Sequence, residues 1–199
     1  MSEGPRTFFK SIFMTDSQKT SSTGPTGPVS YEIILGYALR SLGRVRLTEK
    51  QLRNKIITRF TKSGEVVQED IDRVIARMIE EKYIDDRELA AIFIRDTMAR
   101  RPHGRLWISQ QLITKGVSRD IISDVLIAHQ EESRSNVAAG GTDSELEAAR
   151  TAAEKKLRLL GGKNLEPRKQ YEKMFRFLVG RGFDTSMVIK VLDEVVGRK

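Results

Sequence analysis

The sequence predicts an all-α fold: an elongated, curved array of three tandem three-helix repeats, nine helices in all, preceded by a disordered N-terminal arm. Two observations predict it. Apolar residues recur at three- and four-residue spacing from about residue 31 onward, without an alternating stretch typical of a strand. One short pattern also occurs at 115–118 and again, 66 residues later, at 181–184. It consists of a basic helix end, a glycine, an apolar residue and a capping side chain, and such repetition is typical of stacked helical units.

The flexible N-terminal arm is predicted for residues 1–30. Ser, Thr, Gly and Pro crowd 15–30, where Gly-Pro pairs at 24–25 and 27–28 interrupt any regular element. The apolar cluster at 8–14 is too short and too broken by charge for the hydrophobic core of a secretory signal. We therefore expect an unstructured tail there, with a targeting or docking peptide as the alternative.

The first repeat is predicted over 31–84. Its helices are expected at 31–42, 48–62 and 68–82. Gly43 stops the first of them. Thr48 and Gln51 have the spacing of a capping box, in which each side chain accepts a hydrogen bond from the other residue's backbone N–H. The third helix carries its apolar stripe at Ile71, Val74, Ile75 and Met78.

The second repeat is predicted over 85–131. Asp85 and Glu88 again have the spacing of a capping box, and Pro102 separates the first helix of this repeat from the next. The middle helix starts near Gly104 and ends at Lys115. The last helix starts at its capping residue Ser118 and is expected to fade near Gln130.

A linker at 132–141 and a third repeat at 142–197 complete the prediction. The linker lacks helical periodicity and contains a glycine pair, so we expect a hinge there. The three helices of the last repeat are predicted to begin near Thr142, after Pro167 and after the capping residue Asp184.

The composition argues against an enzyme. The chain has no cysteine and two histidines, which excludes a disulfide framework, thiolate metal sites and a cysteine nucleophile. No phosphate-binding glycine loop is present. The adjacent carboxylates Asp85 and Asp86 diverge on a helix, and the capping role already accounts for the first of them. We expect no catalytic activity, no cofactor and no metal.

No run of apolar residues approaches the roughly 18–20 that a membrane span requires. We therefore expect a cytoplasmic monomer without a membrane contact.

The formal net charge of +8 and a sequence pI near 9.8 favour a polyanionic partner. The charge is also distributed in the same way in every repeat. The middle-helix segments 46–62, 100–115 and 168–181 carry net charges of +5, +4 and +4. The third helices are net acidic. If the repeats stack in one orientation, the middle helices therefore present a discontinuous basic stripe.

The candidate partner-binding cations are Arg44, Arg46, Arg53, Lys55, Arg59, Arg101, Arg105, Lys115, Lys169, Lys173 and Arg176. The alternative is that these charges only solvate the helices or pair with acidic neighbours inside a repeat. Trp107 is a further candidate, either as a partly exposed aromatic anchor or base-stacking platform, or as part of a core or of the packing between repeats. His103 is expected in a turn, and His129 is expected to shield the apolar stripe of its helix.

Two groups of residues resemble the RecX family of recombinase regulators. The first group is Ala38, Leu39, Arg40, Leu42, Arg44, Thr48, Gln51, Leu52, Arg53, Lys55 and Ile56. The second group is Tyr83, Ile84, Asp85, Asp86, Leu89, Ala90, Gly104, Ile108, Leu112, Lys115, Gly116 and Val117. The match covers most of 31–130, and the third repeat fits more loosely. Leu89, Leu106, Trp107 and Gln111 depart from the residues that the family often has.

The resemblance implies tandem three-helix repeats and a protein that lies in the groove of the RecA filament on single-stranded DNA. It also implies that the protein restrains RecA, lowering ATP hydrolysis, strand exchange and repressor self-cleavage by binding alone. The alternative that the sequence leaves open is a general nucleic-acid-binding helical protein that contacts DNA directly.

Overall fold

The computed structural model describes residues 29–61, 67–100, 102–139, 143–160 and 166–197. Within these ranges the chain forms nine α-helices, ends in one π-helical turn, Asp193–Gly197, and contains no strand. The helices are α1 (Tyr31–Leu42), α2 (Glu49–Phe60), α3 (Gln68–Glu80), α4 (Asp86–Arg100), α5 (Arg105–Lys115), α6 (Arg119–Ala138), α7 (Ser144–Leu160), α8 (Pro167–Gly180) and α9 (Thr185–Leu192). The predicted all-α fold is confirmed. The predicted arm lies outside the described residues, except for its last two.

Three separate hydrophobic cores divide the helices into consecutive groups of three. The first core includes Ile34, Leu52 and Ile75 from α1, α2 and α3. Equivalent cores form within α4–α6 and within α7–α9. Met98 on α4 packs against both the second and the third core and so links these two groups. Each middle helix turns one apolar stripe towards its own core, which leaves its opposite face in solvent.

Helix α6 extends further than the sequence analysis predicted. It continues from Arg119 to Ala138 rather than fading near Gln130, so the expectation of a linker without helical structure from 132 was wrong. Ser133 is buried on this extension, and its hydroxyl oxygen accepts hydrogen bonds from the amide (2.9 Å) and the hydroxyl (3.2 Å) of Ser144. The extension is otherwise exposed and lacks regularly spaced apolar residues, so the sequence pattern did not predict it. Residues 140–142, including Thr142, lie outside the described part.

The three middle helices meet end to end. The Thr48 hydroxyl at the start of α2 donates to the carbonyl of Lys115 at the end of α5 (2.6 Å). At the other contact, the Gly104 and Leu106 backbone amides at the start of α5 donate to the carbonyls of Arg181 (2.9 Å) and Gly182 (3.2 Å) just beyond α8. We call the row α8, α5, α2 the spine, and its two contacts the first junction (α2 with α5) and the second junction (α5 with α8). The outer face of the spine is the exposed side of its helices, with Lys55 and Arg59 on α2, Leu106, Gln110, Ile113 and Thr114 on α5, and Lys173 and Arg176 on α8.

Glycine is required where a helix end meets the next helix start. Gly116 and Gly182 have φ of 95° and 80°, and each closes a Schellman motif. A Cβ atom on Gly116 would lie 2.5 Å from the Lys50 side chain, and one on Gly182 would lie 2.3 Å from the Trp107 backbone nitrogen. The glycine in the repeated sequence pattern therefore serves both the left-handed conformation and the close approach of the next unit.

The Gly182→Ala substitution is expected to destabilise the protein by about 2–4 kcal/mol, because it combines a positive φ with a clash against backbone that cannot move aside. Gly180→Ala is the matched control: it lies on the exposed end of α8, and nothing lies within 4 Å of its Cβ position. There we expect a gain of about 0.5–1 kcal/mol from helix propensity. Urea unfolding monitored by circular dichroism measures the change in the free energy of unfolding for both substitutions. Equal effects of the two substitutions would contradict the role of Gly182 in the second junction.

Candidate binding surface

Capping hydrogen bonds fix where the helices of the spine and their neighbours begin. The Thr48 hydroxyl accepts from the Gln51 amide (3.1 Å), and the Gln51 side chain accepts from the Thr48 amide (3.1 Å). The other three capping residues each accept from a backbone amide of the first turn: Asp85 from Glu88 (2.8 Å), Ser118 from Ile121 (3.3 Å) and Asp184 from Ser186 (3.0 Å). These bonds satisfy amides that a helix start leaves without an intrahelical partner.

The cations of α2 fall into two kinds. Arg53 is held inside its repeat, where it pairs with Glu49 one turn earlier and with Asp72 on α3. The hydrogen bond to Asp72, followed by the one to Glu49, raises the pKa of the Arg53 guanidinium. Lys55 and Arg59 are exposed, and no carboxylate in the described part of the chain forms an ion pair with either. Among the cations that the sequence analysis singled out on α2, Lys55 and Arg59 therefore offer an unpaired charge, whereas the side chain of Lys50, also exposed, lies beside Gly116 at the first junction.

The cations of α5 have close neighbours: Arg105 lies near carboxylates at the second junction, and the Lys115 side chain lies against its own repeat. Burial raises the pKa of Glu145, and the Arg105 amide and then the Arg105 charge oppose that rise. Hydrogen bonds from Ser186 lower the pKa of Asp184, and the Arg105 charge adds to that effect. Lys115 is half-buried, with its ammonium group 5.4 Å from the centre of the Phe93 ring. The exposed outer face of this helix is instead uncharged, with Leu106, Gln110, Ile113 and Thr114. The central repeat thus contributes little unpaired charge to the spine.

Trp107 is half-buried against the second core. Its ring stacks on His103, with ring centres 3.9 Å apart, and on Phe93 at 6.5 Å. Its backbone also adjoins Gly182 of the next repeat. Of the alternatives that the sequence left open, these contacts support a packing role, with the ring in the core of its own repeat and the backbone against the next repeat.

Helix α8 resembles α2 in its outer face. Lys169 pairs with Glu166 at 3.6 Å, whereas Lys173 and Arg176 are exposed and form no ion pair with any carboxylate that the structure describes. The half-buried rings of Tyr171 and Phe175 lie beside Arg176 in a shallow apolar depression. A cationic patch with an aromatic border thus occurs at each end of the spine, because Tyr37 borders Lys55 and Arg59 in the same manner.

Two further predicted cations lie off the spine. Arg44 and Arg46 are exposed in the segment between α1 and α2, and Arg46 forms an ion pair with Glu88 of the next repeat (3.2 Å). Arg101 lies outside the described residues.

Two carboxylates have a role at the junctions that the sequence analysis did not predict. Asp86, the first residue of α4, accepts a hydrogen bond from the Glu49 amide at the start of α2 (3.1 Å). Glu145, in the first turn of α7, accepts from the Arg105 amide at the start of α5 (3.0 Å). In both cases the first helix of one repeat supplies a hydrogen-bond acceptor, and the donor is the first amide of the middle helix in the repeat before it. Burial raises the pKa of both carboxyl groups, although the amide hydrogen bonds oppose that rise.

Comparison with protein families places these repeats. The family model for the second three-helix domain of RecX matches residues 85–126, and the model for the third three-helix domain matches residues 143–192. The regulatory protein RecX of Chlorobaculum tepidum is 30% identical over 165 residues, which cover 83% of this chain and 89% of that protein. The chain belongs to the RecX family.

Two further comparisons agree with this assignment. The regulatory protein RecX of Clostridium perfringens strain 13 is 34% identical over 147 residues, which cover 74% of this chain but only 61% of that longer protein. The crystal structure of RecX from Lactobacillus salivarius superposes with a TM-score of 0.67 over 83% of this chain and 96% of that one. At 21% sequence identity, the superposition supports the fold alone.

No membrane-spanning helix is found among the described residues, since none combines sufficient length with sufficient apolar content. The same residues contain no group of three acidic or imidazole side chains close enough to hold a metal ion.

The Glu145→Gln substitution is expected to change how stability depends on pH. Glutamine keeps an oxygen that can accept from the Arg105 amide but removes a charge that burial disfavours. Burial raises the pKa of Glu145 above its ordinary 4.5, so the native protein binds more protons than the unfolded chain at pH values between the ordinary and the raised pKa. The native protein therefore loses stability as pH rises through this range. The variant should therefore match the wild type at acidic pH and be more stable at neutral pH.

Chemical unfolding across a pH series measures this difference. Glu154→Gln, on the exposed side of the same helix, removes an equal charge and is the control. A difference between Glu145→Gln and the wild type that stays constant with pH would contradict the expectation.

Proposed function

We propose that this RecX-family chain regulates a RecA recombinase by lying along the RecA filament on single-stranded DNA, with the outer face of the spine as its contact surface. The observation that carries the proposal is the end-to-end row of middle helices with an unpaired cationic patch at either end. The patches are Lys55 with Arg59 on α2, and Lys173 with Arg176 on α8. Family membership supplies the partner, and the geometry supplies a way to engage it.

The spacing of the patches supports a bridging contact. Helices α2, α5 and α8 contain 12, 11 and 14 residues, and the part of this row between the two patches corresponds to roughly 40 Å of helix at 1.5 Å per residue. Patches at opposite ends of such a row can contact different subunits of a filament. Once one patch is bound, the other is held at high effective concentration near its own target, so two weak contacts can produce tight binding.

A bridge of this kind explains regulation without chemistry. A protein that ties neighbouring filament subunits together favours the geometry it binds and opposes the changes in geometry that accompany nucleotide hydrolysis and filament growth. We infer that the effect is mainly inhibitory, on recombination, ATP hydrolysis and the stimulated self-cleavage of a repressor.

Reversing the charge of one patch is the direct test. Lys55→Glu with Arg59→Glu, or Lys173→Glu with Arg176→Glu, should weaken inhibition of RecA ATPase on single-stranded DNA by roughly tenfold or more, because each pair removes one arm of a bridge. Arg119→Glu with Arg134→Glu is the matched control. It makes the same change in net charge on exposed positions of α6, off the spine. No inhibition by the wild type at stoichiometric protein, or equal effects of all three pairs, would contradict the proposal.

A second candidate function is direct binding to nucleic acid, which the same unpaired cations favour. That function predicts tight binding to single-stranded DNA without RecA, and an affinity that falls steeply with salt as phosphate neutralisation releases counterions. Fluorescence anisotropy of labelled single-stranded DNA, with and without RecA, separates the two. For the regulator we expect binding to the filament to be tighter than binding to the bare strand, and a loss confined to the bare strand in the spine variants would favour the second function.

A further inference from the structure

A cleft between the second and third repeats is separate from the outer face of the spine. It has a volume of about 870 Å³, within the range of roughly 300–1,000 Å³ that is common for small-molecule sites. Its walls come from the end of α4, the segment leading into α5, the first half of α7 and the end of α8. Met98, Ala148, Ala152 and Phe177 supply apolar surface to it.

The charged groups that line the cleft are mostly cationic. Arg95, Arg100 and Lys155 are exposed, Arg181 is half-buried, and none of the four forms an ion pair with a carboxylate in the described part of the chain. Glu147 is the one acidic residue among the cleft-lining residues, and it is already paired with Arg150 (3.3 Å). The cleft is therefore complementary to an anion of more than one charge.

Two planar groups in the cleft wall are held in place before any ligand arrives. The Arg181 guanidinium donates to the Pro102 carbonyl (3.0 Å) and lies over the Phe177 ring at 4.6 Å. The His103 ring stacks on Trp107 at 3.9 Å. Flat guanidinium and imidazole faces are the surfaces on which nucleobases stack. An elongated peptide carboxylate would use the cations but not these faces.

We propose that this cleft binds a nucleotide unit, with the phosphate at Arg95, Arg100 and Lys155 and the base against the planar faces of Arg181 and His103. The nucleotide can be free in solution or part of a single strand, since the phosphate and the base are the same in both. The site is distinct from the proposed contact with the recombinase, because none of the four cations of the two patches lines the cleft.

The protein contains its own reporter for the test, since Trp107 is the only tryptophan and stacks on a residue of the cleft. The protein without RecA is titrated with adenosine 5′-monophosphate, and separately with an oligodeoxythymidylate of roughly six nucleotides, while tryptophan fluorescence is followed. Adenosine and inorganic phosphate are titrated as the separate halves of the ligand. We expect a saturable change with at least one of the two nucleotide probes, and weaker binding of either half.

Substitutions in the cleft test whether the change in tryptophan fluorescence comes from binding there. Arg100→Glu with Lys155→Glu should weaken the nucleotide response roughly tenfold or more, since hydrogen bonds to charged groups are lost, and Arg100→Gln with Lys155→Gln should weaken it to a smaller extent. Arg119→Glu with Arg134→Glu should leave it within about twofold, because general screening of net charge acts weakly at a distance. Binding of the mononucleotide identifies a free nucleotide as sufficient, and binding of the oligonucleotide alone identifies the strand as the source; both support the site. No saturable change with either probe, or an equal loss in the cleft and α6 variants, would overturn the proposal.

Discussion

The contact between the start of one middle helix and the end of the next is the constraint on which the rest of the structure depends. Every helix leaves amides without partners at its start and carbonyls without partners at its end. At the second junction these groups satisfy each other directly, through the Gly104 and Leu106 amides and the carbonyls of Arg181 and Gly182. The positive end of one helix dipole therefore meets the negative end of the next. The spine consequently runs opposite to chain order, from α8 to α2.

The same constraint decides where charge remains available. A junction brings a carboxylate to the start of the preceding middle helix, Asp86 at the first and Glu145 at the second. On α5, Arg105 lies near carboxylates at the second junction, and the Lys115 ammonium lies over the Phe93 ring of its own repeat. Helices α2 and α8 each take part in one junction only, through one of their two ends. Their outer cations, such as Lys55 and Lys173, therefore stay unpaired among the described residues, and the basic stripe that the sequence suggested resolves into two patches.

Local signals were enough to predict most of the fold. Capping residues, glycine stops and apolar stripes act within a few residues, so the start of α2 after Thr48 and the end of α5 at Lys115 follow from the chain itself. The end of α6 could not be predicted in this way, since Ser133 is buried by a contact with Ser144 on the next helix. Nor could the sequence distinguish Arg53 from Lys55: the difference lies in Asp72, which α3 brings to the former.

The two junctions use different atoms, and this has a mechanical consequence. At the first junction, side chains make the contact: the Thr48 hydroxyl donates to a carbonyl, and the Lys50 stem packs where a Cβ atom on Gly116 would lie. At the second junction backbone meets backbone, so closely that a Cβ atom on Gly104 would lie 2.1 Å from the Gly182 carbonyl oxygen. Rotation about side-chain bonds can absorb a change of angle, whereas paired backbone groups cannot do so without losing hydrogen bonds. We therefore expect a partner that requires a different curvature to be accommodated by movement at the first junction rather than at the second.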